Sequence, residues 1–214
     1  MLSDIKIKIC GLKTAAMIDA AADAGTGYFG FNFIGRSPRY VSAAQARALI
    51  AAVPAGRASV GLFFDASDDE IASVLDIAPL DIVQLHGSES PTRVAEVKAR
   101  FGLPVMKALG ISGADDVRRL DDFSHVADML LVDAKAPKGA PLLGGNGVTF
   151  DWDLIAGRRW PVPWMLAGGL NADNVGAAIT ASGATQVDVA SGVESAPGVK
   201  DAGLIAQFAA AVRA

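Results

Sequence analysis

Cysteine is almost missing from this sequence. Cys10 stands alone among 214 residues, which excludes an intrachain disulfide framework and fits a reducing compartment. Histidine is nearly as scarce. His86 and His125 lie far from each other and from Cys10, without metal-ligand spacing, so no metal is expected. Basic charge is not in excess either. Lys and Arg total 19 against 23 Asp and Glu, for a net charge of -4, which argues against a nucleic-acid partner. A small anion is still admissible, because a few arginines and backbone N–H groups suffice to hold one. No apolar run is long enough to span a bilayer, and "MLSDIKIKIC" lacks the apolar centre of a secretory signal. The expectation is a cytoplasmic protein with no membrane partner. There is no low-complexity tract, linker or shift in composition, and 51% hydrophobic residues are too many for a disordered chain. Residues 1–214 are read as one domain.

What is present is a rhythm. Eight short apolar segments rich in Val, Ile, Leu or Phe, most of them running into Gly or a polar turn, predict strands at 5–11, 28–34, 59–64, 81–87, 104–110, 129–134, 164–170 and 186–192. Ala-rich stretches with helix start and stop signals lie between them. Ser42 precedes "AAQARALIAAVP", Ser67 and Glu70 form a capping box, Pro91 takes a first helical position, and Gly25 stops the first helix. The eighth helix is expected over 199–214, and the sixth, over 151–158, is short. Eight strand-then-helix units predict an α/β fold, a (β/α)8 TIM barrel. A doubly wound open sheet is the alternative, but "GLKTAA" after the first strand is no dinucleotide-binding turn.

In such a barrel the chemistry sits where the strands end. Strand one alternates, with Ile5, Ile7 and Ile9 on the helix side and Lys6, Lys8 and Cys10 facing inward. Cys10 is either an inert core thiol or a base whose thiolate is favoured by the Lys8 ammonium. Strand six ends in Asp133, where desolvation would suit a general acid; a loop cap or a partner for Lys135 or Lys8 is the competing role. Gly144, Gly145 and Gly147 make a permissive loop. Gly168 and Gly169 after strand seven, with Ser191 and Gly192 after strand eight, fall where barrels often hold a phosphate on backbone N–H groups. Arg36 and Arg39, in "GRSPRYVS", can fork onto a carboxylate or stand as solvated surface charges. Asn32, Gln84, His86, Lys107 and Asp188 occupy strand positions from which polar side chains can line the mouth. Asp188 either reaches sugar hydroxyls or pairs with a lysine inside the barrel.

Taken together, "KICGL", "GFNFIGRSPRYVS", "VQLHG", "GGNGVTFDW", "LAGGLNADNV" and "DVASGVESAPGVKD" resemble the phosphoribosylanthranilate isomerase family of tryptophan biosynthesis, in order and over nearly the whole chain. Asn146, Val148, Ala172 and Ala190 depart from the residues common there. The resemblance implies a cofactor-free Amadori rearrangement of an aminoaldose phosphate carrying an anthranilate group. It implies Cys10 as general base, Asp133 as general acid, Arg39 on the anthranilate carboxylate, and phosphate on the glycine loops after strands six, seven and eight. A monomer or small homo-oligomer is implied as well. Three other readings compete. The histidine-pathway sugar isomerase resembles this chain in reaction type but carries an Asp where Cys10 stands. A Schiff-base lyase would use Lys107 or Lys135. A non-catalytic phosphate-binding barrel would need neither Cys10 nor Asp133.

Overall fold

In the computed structural model, residues 5–135 and 149–214 are described. Eight parallel strands close into a barrel in chain order: β1 (Lys6–Cys10), β2 (Tyr28–Asn32), β3 (Ala58–Phe63), β4 (Ile82–Leu85), β5 (Val105–Ile111), β6 (Met129–Ala134), β7 (Trp164–Leu166) and β8 (Gln186–Val189). β8 pairs with β1 to complete the ring, in the register Lys8 to Asp188. The predicted fold is therefore the observed one.

Helices α1 (Ala15–Asp23), α2 (Ala43–Ile50), α3 (Asp68–Leu75), α4 (Pro91–Phe101), α5 (Ala114–Ser124), α6 (Val175–Ser182) and α7 (Ala202–Arg213) alternate with the strands. Their starts follow the sequence signals. Ser42 and Ser67 each form a reciprocal capping box, with Gln45 and Glu70, and so satisfy the first orphan N–H groups of α2 and α3. Ser90 caps α4 ahead of Pro91, and Asp201 caps α7 through the Leu204 N–H at 2.9 Å.

Two expectations fail. The short sixth helix is a single 3-10 turn, Trp152–Ile155. The segment expected to open the eighth helix instead forms an antiparallel hairpin, β9 (Glu194–Ala196) and β10 (Val199–Lys200), and α7 starts only at Ala202.

Burial follows strand parity. Ile7, Ile9, Phe29, Phe31, Val83 and Leu130 face outward and pack with buried helix residues such as Ile18, Val94 and Phe208. A second apolar set fills the lumen: Cys10, Val60, Leu62, Ile82, Met106, Ala108, Leu131, Met165 and Ala167. The lumen also encloses charge. Lys8 is fully buried and its Nζ lies 2.7 Å from Asp188 Oδ1. Lys107 Nζ lies 2.6 Å from Glu89 Oε2 and also donates to the Gly87 carbonyl at 2.8 Å.

Breaking a buried pair leaves one charge uncompensated, which costs far more than the intact pair contributes. Asp188→Asn is expected to lower unfolding free energy by about 3–5 kcal/mol, measured by urea denaturation. A loss below about 1 kcal/mol, the worth of an exposed pair, would show that the lumen solvates Lys8 by other means.

Candidate active site

Cys10 ends β1 and Asp133 stands one residue before the end of β6, so both lie at the C-terminal rim. In a ring ordered β1 to β8, these strands stand three positions apart by way of β8 and β7, which places the two side chains across the mouth from each other. Cys10 is 5% exposed and belongs to the lumen set. It sits beside Gly30, where an added Cβ would come within 3.2 Å of the sulfur.

The electrostatics around Cys10 differ from the sequence expectation. Burial dominates and pushes the thiol above its ordinary range; Lys8, Lys200 and Arg39 pull it down, and Asp188 pushes it up again. Lys8 is not a free ammonium at the service of the sulfur. Burial works to neutralise it, but Asp188 and Cys10 outweigh that, and its pKa ends above the ordinary lysine value. Lys8 is still the charge that most favours the thiolate, as its place on the strand leads one to expect, but burial outweighs it. Asp188 takes the lysine-pairing role through Oδ1.

Asp133 is held at both oxygens. Oδ1 accepts the Ala134 N–H at 2.8 Å, and Oδ2 lies 3.3 Å from His86 Nε2. Behind His86, its Nδ1 lies 2.9 Å from Gln84 Nε2. A Gln84 amide that donates to Nδ1 holds the neutral ring in the tautomer with its proton on Nε2, the nitrogen nearer Asp133. His86 is therefore an immediate neighbour of the acid, a role the sequence reading left open between structure and ligand contact.

Arg39 is 5% exposed, and its guanidinium forks onto Glu194: Nε to Oε1 and Nη2 to Oε2, both 2.8 Å. Its stem lies against Gly11, the residue after Cys10, where an added Cβ would come within 2.7 Å of Cδ. Gly11 has φ +84, so both its backbone and the space beside it demand glycine. Arg36 lies apart on the exposed side of the loop, its guanidinium carbon 5.5 Å from the centre of the Phe64 ring.

The glycine loops meet. Gly168 (φ +90) and Gly169 (φ +61) follow β7, and Gly192 lies in a 3-10 turn, Ser191–Val193, where an added Cβ would collide with the Leu170 carbonyl. The loops after β7 and β8 therefore form one continuous backbone surface at the rim. The expected contribution of Gly144, Gly145 and Gly147 lies outside the described residues.

Both lysines of the lyase reading are engaged. Lys107 is held by Glu89, and Lys135 Nζ lies 3.0 Å from Asp116 Oδ1. Neither is poised as a free amine. Sequence reasoning missed Glu194 and Lys200. Lys200 Nζ lies 2.7 Å from Glu194 Oε1 and 2.9 Å from the Ala190 carbonyl. The signal available was the "GVESAPGVK" stretch itself, in which a charged pair flanks a Pro-Gly turn.

Comparison with known proteins agrees with this geometry. A family profile described as "N-(5'phosphoribosyl)anthranilate (PRA) isomerase" matches residues 7–211. A protein of Paracoccus denitrificans named N-(5'-phosphoribosyl)anthranilate isomerase is 56% identical over 206 residues, 96% of each chain. One of the same name from Cereibacter sphaeroides is 54% identical over 97% of this chain and 98% of its own. Among solved structures, phosphoribosyl anthranilate isomerase from Thermotoga maritima superposes with a TM-score of 0.88 at 33% identity, covering 98% of both chains. Another, solved in complex with reduced 1-(o-carboxyphenylamino)-1-deoxyribulose 5-phosphate, gives a TM-score of 0.83 at 30% identity over 98% of both chains.

Proposed function

This chain belongs to the N-(5'-phosphoribosyl)anthranilate isomerase family, and from that premise we propose that Cys10 and Asp133 carry out its reaction as base and acid. The enzyme converts N-(5'-phosphoribosyl)anthranilate, an aminoaldose, to 1-(2-carboxyphenylamino)-1-deoxyribulose 5-phosphate, an aminoketose, in tryptophan biosynthesis.

The reaction opens the furanose first. Asp133 gives its proton to the ring oxygen as the C1–O bond breaks, and the nitrogen lone pair forms the C1–N double bond. The product is a cationic Schiff base facing a new carboxylate, which the His86 N–H steadies. The C2 proton is now acidic, and Cys10 removes it to give a neutral enolamine. The thiol's elevated pKa fits this order of events. The positive charge created by ring opening lies next to the sulfur and favours the thiolate at the step that needs it. The enolamine then ketonises, C1 gaining a proton and the C2 hydroxyl losing one.

The substrate is anchored at its two ends. Arg39 takes the anthranilate carboxylate, with Arg36 on the outer side of the same loop. The phosphate lies on the backbone of Gly168, Gly169, Ser191 and Gly192, with Gly144, Gly145 and Gly147 assigned by resemblance. The observation that carries this reading is the opposition of Cys10 and Asp133 across one rim, between an arginine and a paired glycine surface.

The test is conversion of this aminoaldose measured beside that of the histidine-pathway aminoaldose. Turnover of the latter alone would overturn the reading. Arg39→Ala is expected to raise KM with little change in kcat, because the carboxylate contact is made equally in the ground and transition states. An unchanged KM would move that contact elsewhere, Arg36 first. We assign a cytoplasmic monomer or small homo-oligomer, checked by light scattering after size-exclusion chromatography. No described helix is long and apolar enough to cross a membrane.

A further inference from the structure

The hairpin β9–β10 has no place in the scheme above, yet it is tied to the rim at three points. Its Glu194 takes the side of the Arg39 guanidinium through two hydrogen bonds of 2.8 Å. Its Lys200 holds the same carboxylate at 2.7 Å and donates to the Ala190 carbonyl, just after β8, at 2.9 Å. Its turn residue Gly198 (φ +78) donates its N–H to Glu194 Oε2 at 3.2 Å and sits so close to the β2 loop that an added Cβ would strike the Pro38 carbonyl. The side chains of Arg39, Glu194 and Lys200 are 6%, 3% and 1% exposed.

Burying three charges is costly unless each is paired and its geometry fixed. Here the pairing leaves a specific remainder. A guanidinium has two edges that can bind a carboxylate in fork fashion, the Nε–Nη2 side and the Nη1–Nη2 end. Glu194 occupies the side, and among the described residues no group takes Nη1. Two cations and one carboxylate also leave the cluster with net positive charge. Arg39 and Lys200 both act on Cys10, so that charge reaches the mouth.

We propose that Glu194 is a positioning residue: gripping the side of Arg39 fixes the guanidinium so that its Nη1 end meets the aromatic carboxylate of the substrate. The hairpin then sets how tightly the carboxylate-bearing half of the substrate is held. This rests on the assignment of Arg39 to that carboxylate.

The test uses Glu194→Gln and Glu194→Asp in the full chain, with Arg39→Ala and the double variant. Glu194→Gln frees Arg39 and should raise KM about tenfold or more, the worth of one charge-assisted hydrogen bond, with kcat nearly held. Glu194→Asp keeps the charge, so folding survives even if the Gln variant unfolds, but it is too short to span Nε and Nη2 from the same backbone position. It should also raise KM. Combining Glu194→Asp with Arg39→Ala should add nothing to Arg39→Ala alone. A second readout is the thiol. Cys10 is the only cysteine, so thiolate absorbance against pH reports it alone, and loss of the Glu194 charge should lower its pKa by leaving Arg39 and Lys200 unopposed. A purely structural glutamate would not move KM selectively, and the thiol shift reports only that its charge is felt at the mouth. If Arg39→Ala raises KM while Glu194→Asp leaves it at the wild-type value, or if their effects multiply, the positioning role is wrong and the Arg39 assignment stands. If Arg39→Ala leaves KM unchanged, the Arg39 assignment fails and the positioning role falls with it.

Discussion

Asp133→Asn is expected to lower kcat by about two to four decades, the usual worth of a general acid. Asparagine is close to isosteric, and its amide oxygen can still accept the Ala134 N–H that now reaches Oδ1 at 2.8 Å. Its NH2 would face His86 Nε2, and the imidazole can accept there if its proton shifts to Nδ1 and the Gln84 amide turns over. The local fold therefore has a satisfied arrangement to settle into, and urea denaturation should show little change. The amide cannot give a proton to the furanose oxygen, so the ring stays closed. KM should move little, because the anchors at either end of the substrate are untouched. A kcat within tenfold of wild type, in a variant shown to be folded, would remove Asp133 from the acid's role.

The second large effect is at the sulfur. Cys10→Ser and Cys10→Ala are each expected to cost about two to four decades in kcat. The serine hydroxyl is far too weak an acid to be ionised here, even with three cations nearby. Because Cys10 is the only cysteine, a thiol-alkylating reagent should abolish activity at one site, and substrate should protect it. The pH dependence has a definite sign. Burial raises the thiol pKa in the free enzyme, and the form proposed to act as base is the deprotonated one. kcat/KM, which reports the free enzyme, should therefore climb with pH through a limb lying above the ordinary thiol range. That limb should vanish in Cys10→Ser. A rising limb unchanged in the serine variant would assign it to another group, and near wild-type kcat in Cys10→Ala would end the base assignment.

The barrel was legible because its evidence repeats. Eight apolar segments, most of them ending in Gly or a polar turn, and Ser caps such as Ser42, Ser67 and Ser90 specify local structure from local sequence. Strand parity likewise put Cys10 inside the barrel and Ile7 and Ile9 outside it. What stayed hidden depends on partners far along the chain. Val199 and Lys200 read as the opening of a helix, yet Lys200 pairs with a glutamate that also grips an arginine 155 residues away. Asp188 could not be assigned to a lysine or to a sugar until the β1–β8 register brought it opposite Lys8. The thiol's full environment is hidden from the sequence for a related reason. Spacing along a strand announces that an ammonium lies near, but not that a carboxylate from the other end of the chain has already claimed it, or how completely the lumen excludes water.

The seam between β1 and β8 has a consequence for how the molecule comes into being. Lys8 and Asp188 are 180 residues apart, so during synthesis the lysine emerges long before its counterion exists. Until the eighth strand arrives, any collapsed intermediate must leave that ammonium hydrated or bear the penalty of enclosing it alone. The ring therefore resists shutting prematurely around an incomplete sheet. Contacts of such long sequence separation also make closure a late and slow event. The groups around Cys10 come from both ends of the chain, so the thiol acquires its tuned surroundings only when the last strand docks, and a nascent or truncated chain carries an ordinary cysteine.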